Sequence, residues 1–191
     1  MNKTRILVLA AALAIPALPA LAEEAYVAPV TEYMNTEVKS WLSDPVVVNA
    51  IKAQNDEHAS LDQAGIDALD TEWRAEVDGS SSKMIDEVLS NKLSAFLKEK
   101  KDASDGLITE VFVMDDKGLN VGQSDVTSDY WQGDEGKFQK SFGVGADALF
   151  VDDAEKDEST QQLQSQASMT IVDEAGKPIG AITIGINLDE L

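Results

Sequence analysis

The sequence predicts an α+β domain in which several helices come first and pack on an antiparallel sheet that follows. Three observations carry this. Apolar residues recur at helical spacing from Val30 to Leu97. From Ile108 onward the pattern turns β-branched, aromatic and alternating. Turn chemistry at Asp116-Lys117-Gly118 and at Asp173-Glu174-Ala175-Gly176-Lys177 joins neighbouring strands directly, whereas parallel strands would need a crossover helix between them.

The elements follow in order. Val30, Met34, Val38, Trp41 and Leu42 lie on one face of an N-terminal helix. Ser43-Asp44-Pro45 interrupts it, with Asp44 placed to cap a new start and Pro45 suited to the first helical position. Val47, Val48 and Ile51 continue the apolar face, so the two pieces read as one long kinked helix. Ser60-x-x-Gln63 has capping-box spacing and opens a helix with Ile66, Leu69 and Trp73 inward. After a polar loop, residues 78–82, a third apolar face runs from Ile85 through Val88, Leu93 and Leu97, with lysines at its C-terminal end and Gly106 beyond. Strands are expected over Ile108–Asp115 and Leu119–Ser124, then a short helix within Gly133–Phe142. Three more follow: Ala148–Asp152, Thr160–Val172 and Pro178–Asn187, the first two separated by the acidic run Asp152–Glu158. In Thr160–Val172, Ala167, Met169 and Ile171 face one way, and Gln166, Ser168 and Thr170 the other. In the last strand Ile182, Ile184 and Ile186 oppose Ala181, Thr183 and Gly185.

Residues 1–22 stand apart. Lys3 and Arg5 precede an apolar run broken by Pro16 and Pro19, which ends in Ala20-Leu21-Ala22. This is the pattern of a secretory signal peptide. A retained anchor is the alternative, but the uninterrupted apolar part is short for a membrane span. Residues 23–191 then form a single domain, with no further membrane insertion expected. The chain has no cysteine, which excludes disulfides, thiolate metal sites and thiol catalysis and suits a periplasmic or secreted bacterial protein. It carries 35 acidic against 15 basic residues, a formal net charge of −20. Nucleic acid and anionic lipid need a basic surface and are disfavoured as partners.

The stretch Ile108–Gln139 holds the richest chemistry: a hairpin that hands the chain to a loop with adjacent aromatics, Tyr130 and Trp131. Such a pair is suited to close over a ligand cation or apolar group, or else to plug the sheet as core. Asp129, Asp134, Asp147 and Asp152 offer carboxylates to a cation, and Gln123, Ser165 and Ser168 offer hydrogen bonds from strands. The acids Asp152, Asp153, Asp157 and Glu158 lack the alternation and central Gly of a calcium loop and read as a solvated turn; no metal or cofactor is expected. Catalysis is not expected either, because the lone His58 lies in a polar stretch read as surface.

Four features in this order resemble the single-module Cache, or PDC, family of PAS-like extracytoplasmic sensors. They are the N-terminal helix with Trp41-Leu42-Ser43-Asp44-Pro45, the hairpin LITEVFVMDDKGLNVGQSD, the segment Thr127-Ser128-Asp129-Tyr130-Trp131, and the closing IVDEAGKPIGAITIGINL. The resemblance covers roughly Tyr33 to Leu188. It implies a five-stranded antiparallel sheet backed by a long helix, with a small ligand held between the sheet and its loops: an amine, an amino acid or a short organic acid. It also implies that Asp152 is the ammonium-binding acid. The chain departs at the carboxylate clamp, since no Arg lies in the loop and Arg74 is the only Arg after the leader. The sequence stops at Leu191, just after the last strand. The expected form is therefore a sensor domain without its own output module, signalling through a membrane sensor partner or as a homodimer. The alternative is a structural adaptor of the same fold with a filled pocket, acting through protein contacts.

Overall fold

The computed structural model describes residues 25–79, 81–156 and 162–191. The expected leader, and Asp157 and Glu158 of the expected acidic turn, lie outside these residues. The helices are α1 (Val27–Thr36), α2 (Pro45–Glu57), α3 (Gln63–Val77), α4 (Lys83–Leu89), α5 (Lys92–Asp102) and α6 (Gly136–Gln139). The strands are β1 (Ile108–Met114), β2 (Asn120–Gln123), β3 (Leu149–Val151), β4 (Glu155–Lys156), β5 (Leu163–Val172) and β6 (Pro178–Asn187). Every strand pairing is antiparallel. The order is β2-β1-β6-β5-β3, with β4 pairing β5 further along. The sheet thus has six strands where five were expected; the sixth is the two-residue β4, inside the run read as an acidic loop.

Three helix boundaries differ from expectation, each because a side-chain cap won. The long kinked helix is instead α1, a 3-10 turn at Val38–Ser40 and α2. Asp44 is extended, its carboxylate accepts the Val46 amide at 2.8 Å, and Pro45 has no amide to continue an earlier helix. The cap of α3 is Asp62, which accepts from the Gly65 amide at 3.0 Å, rather than Ser60. The third helical face is split into α4 and α5, because Asn91 is extended and its side-chain oxygen accepts the Ser94 amide at 2.8 Å.

The main core lies between the sheet and α1, α2 and α5. Val111 and Val113 of β1, Ile182, Ile184 and Ile186 of β6, and Ala167, Met169 and Ile171 of β5 pack with Val30, Met34, Val48, Ile51 and Leu97. A second apolar cluster joins α3 and α4 to Leu119 and Tyr130. The β5–β6 turn is set by Asp173, whose Oδ1 accepts the Ala175 and Lys177 amides at 2.9 Å, with Gly176 at φ +77.

Candidate ligand-binding face of the sheet

Period-2 alternation gives each strand two different sides. Away from the helices, Phe112 and Met114 of β1 and Ala181 of β6 cluster with Phe138 of α6 and the half-buried Phe142. The register sets polar residues among them. Phe112 pairs with Gln123 on one side and Thr183 on the other. Met114 pairs with Asn120 and Ala181, and Ala181 pairs in turn with Thr170. Ser168 is opposite Thr183, and their hydroxyls are 2.9 Å apart. All five of these polar residues are buried.

Three buried side-chain atoms lack a hydrogen-bond partner among the described residues: Asn120 Oδ1, Gln123 Nε2 and Thr170 Oγ1. Direct cross-strand partners share a face, so all three residues belong to this one. Each such atom forgoes about 1–3 kcal/mol relative to being paired. A ligand that donates to Asn120 and accepts from Gln123 would recover that loss.

Within residues 129–142, Lys137, Phe138 and Phe142 cover this face. Lys137 Nζ lies 2.8 Å from Glu135 Oε2 and 3.3 Å from Gln132 Oε1, and sits over the Phe112 ring at 5.4 Å. Its side chain is only 13% exposed. Burial pushes the Glu135 carboxyl up, and the nearby charge of Asp129 adds to this while Lys137 opposes it. At the edge of the face an opening of about 220 Å3 is lined by Glu135, Lys137, Asp152, Glu155, Gln164 and Gln166.

The cover is tied to α3. Asp70 Oδ1 accepts the amides of Tyr130 at 2.9 Å and Trp131 at 3.1 Å. Asp70 Oδ2 accepts Arg74 Nε at 2.7 Å, and Arg74 Nη2 reaches Asp129 Oδ2 at 3.1 Å. Burial works against the Asp70 charge, but the Arg74 guanidinium and the two amides outweigh it and hold the carboxyl below its usual value.

The expected residues divide accordingly. Gln123 and Ser168 lie on the polar face. Asp152 lines the opening; its carbonyl accepts from Tyr26 Oη at 3.2 Å and Ser165 Oγ at 2.8 Å. Asp129 is committed to Arg74 and to Gln132 Nε2, the latter at 2.8 Å. Tyr130 and Trp131 do not form the expected lid over the sheet. Tyr130 stacks on Trp73 at 5.4 Å within the α3–α4 cluster, and its hydroxyl is pushed up in pKa by burial. Trp131 packs on the same cluster and donates Nε1–H to the Lys117 carbonyl at 2.9 Å. The apolar surface of Trp73 and Leu119, with Asp70 holding both amides, draws them there. Asp134 and Asp147 are exposed. His58, read as surface, is instead packed on the fully buried Asp115, with Nδ1 2.9 Å from Oδ2. Asp115 also accepts from Gln54 Nε2 and from the Lys117 and Leu119 amides, which bolts α2 to the β1–β2 turn.

Sequence reading missed Lys137, Glu135, Gln132 and Asn120. They follow no period, and only the spacing Gln132-x-x-Glu135-x-Lys137 beside Phe138 hinted at a charged cover. Among the described residues, no group of three or more His, Asp or Glu side chains is arranged to hold a metal ion.

No protein-family model matches the sequence, and no curated protein matches it. Solved structures do match the fold. The sensor domain of the Vibrio cholerae histidine kinase DctB superposes with a TM-score of 0.50 at 13% identity, over 86% of this chain and 51% of that one. The chain shares the α+β fold of that domain. It spans about half the length of the DctB sensor domain. The Escherichia coli DcuS sensor domain is similar over 79% of this chain and 83% of its own, with 14% identity and a TM-score of 0.44. The ligand-binding domain of the Campylobacter jejuni chemoreceptor Tlp3, solved with 4-methylisoleucine, matches over 83% of this chain and 64% of its own, at 15% identity and a TM-score of 0.41. No helix among the described residues is long and apolar enough to cross a membrane.

Proposed function

We propose that this protein is an extracytoplasmic sensor domain that binds a small organic ligand on the polar face of its sheet, beneath residues 129–142. The observation that carries the reading is the placement of Asn120, Gln123 and Thr170, each with a buried unpaired atom, on that face. Buried polar groups are nearly always paired, and a set of them on one surface marks where something else supplies the partners. Lys137, half-buried beside Glu135, suits a carboxylate; Glu135, Asp152 and Glu155 at the opening suit an ammonium group. An amino acid or a short organic acid meets Lys137, and an amine meets the acids. Ligand contact would shift the 129–142 cover, and the Asp70–Arg74 tie would pass that shift to α3, where a partner protein reads it. Such signalling needs a ligand with different affinities for the two positions of the cover.

The test is a thermal-shift panel of amino acids, amines and short carboxylates on the wild type, Gln123→Leu and Lys137→Met. A ligand at ~100 times its Kd adds about 2.7 kcal/mol and raises Tm by a few degrees. The expected result is a hit lost in both variants. A second reading, an adaptor with a filled face, draws on the Phe138–Phe142 stack at 5.0 Å beside Phe112 and Met114. A flat panel would replace the first reading with this one.

A further inference from the structure

On the opposite side of the sheet, where α1 gives way to α2, the main core is left open by a cavity of about 480 Å3. Its floor is Leu42, Val48, Leu149 and Met169, all of them members of or packed on the main apolar cluster. The reason lies in the chain itself. Residues 37–44 cross this corner as a 3-10 turn and an extended cap, and a continuous helix would have covered it. Protein interiors hold few voids larger than a water molecule. A cavity of this volume, apolar below and polar at the rim, has the character of a small-molecule site.

The rim sets the ligand's charge. Asp147, Asp173 and Glu174 line the rim with the Lys39 ammonium, and Lys52, from outside the lining, pairs with Glu174. The amides of its own turn hold the Asp173 carboxyl low, and Lys52, 2.6 Å from Glu174, does the same for that residue, so both stay ionised. Asp147 is exposed and has no ion-pair partner among the described residues. The whole chain, at −20, attracts cations and repels anions. We propose that this cavity is a second binding site, which takes a primary aliphatic amine with its carbon chain on the Leu42–Met169 floor and its ammonium among the rim carboxylates. Thr170 of β5 borders this cavity as well as the polar face, but the cavity floor lies on the other side of the sheet. Met169 packs on the helix side of β5, whereas Ser168 and Thr183 meet on the other. Its occupant would brace the α1–α2 junction against strand β3.

The experiment is an NMR titration of the isotope-labelled protein with n-hexylamine, n-hexanol and n-hexanoate, followed at the Leu42, Val48 and Met169 methyls. The expected result is saturable shifts at these methyls, with n-hexylamine bound about tenfold more tightly than n-hexanol and n-hexanoate weakest. Asp147→Asn should bring n-hexylamine toward n-hexanol while leaving n-hexanol unchanged. Ala148→Phe, which fills the cavity wall, should abolish all three. The proposal is overturned if n-hexanol or n-hexanoate binds as tightly as n-hexylamine, if the shifts fall instead at Thr183 and Phe112, or if none saturates. Those outcomes leave the polar-face ligand untouched, because its panel is read through Gln123 and Lys137.

Discussion

Along β6, Ile182, Ile184 and Ile186 are fully buried against the helices, while the residues between them, Ala181, Thr183 and Gly185, face the other way. β5 repeats the division, with Ala167, Met169 and Ile171 on one side and Ser168 and Thr170 on the other. Both sides are shielded from water, so burial alone does not distinguish them. Their chemistry does. The helix side is aliphatic, and its energy comes from packing, which tolerates no lost volume. The far side mixes hydroxyls and amides with a few aromatic rings, and three of its polar atoms are unpaired. Aliphatic packing occupies one set of alternate positions, and buried polar groups occupy the other.

Ile184→Ala tests the helix side. It should lower stability by about 3 kcal/mol, within the usual 2–5 kcal/mol for such a truncation, in urea denaturation. A loss below about 1 kcal/mol would break the contrast. Asp115→Ala should come close behind, at roughly 2–3 kcal/mol, because it strands the buried Leu119 amide and removes a partner from Gln54, His58 and the Lys117 amide. It shows what a satisfied buried carboxylate contributes, against which the unpaired atoms of the polar face are judged. Ser168→Ala alone should cost about 1–2 kcal/mol by orphaning the Thr183 hydroxyl, and Ser168→Ala with Thr183→Val should be near neutral, since both partners leave together. A double variant as damaged as the single would mean that the pair holds more than each other.

The Asp70 tie sharpens the comparison through pH. Its folded pKa is lowered, so its contribution is complete above the unfolded value near ~4 and is lost as the pH falls through the lower folded value. Asp70→Asn should flatten the acid limb of Tm against pH below about pH 4 and change little at neutral acid–base balance beyond the lost hydrogen bonds. An unchanged acid limb would sink the assignment. The smallest effect is the most informative: Thr170→Val should leave the unliganded protein equal or more stable by up to ~1 kcal/mol, yet weaken the ligand response. A clear destabilisation would show that its hydroxyl is already partnered.

Much of this contrast was legible in the sequence because it rests on period. The alternation of Ile182, Ile184 and Ile186 with Ala181, Thr183 and Gly185 survives into the structure unchanged, as do both hairpins and the Asp44–Pro45 helix start. Asn91 was legible too, since an Asn three residues before Ser94 is a cap, but a continuous apolar stripe masked it. The cover was not legible. Whether Tyr130 turns to the sheet or to Trp73 depends on a tertiary stack between residues 57 positions apart, and no local pattern encodes that choice. Lys137 and Glu135 are hidden for a second reason. In so acidic a chain, one charged pair in a loop looks like any other until burial singles it out. His58 was misplaced for the same reason, because its partner Asp115 sits at the far end of another element.

The sheet's borders have a colloidal consequence. β2 is four residues long, meets β1 through a bulge, and is flanked by the Tyr130–Gln132 backbone, where the Asn120 amide donates to Tyr130 and Gln132 donates to Gly118. At the other border, three-residue β3 and two-residue β4 screen the long β5. Among the described residues neither border offers a long flat row of free amides for another chain to pair with, and copies carrying −20 repel one another. Concentrated solutions should therefore remain dispersed and resist strand-to-strand aggregation, with salt, which screens that repulsion, the condition most able to bring copies together.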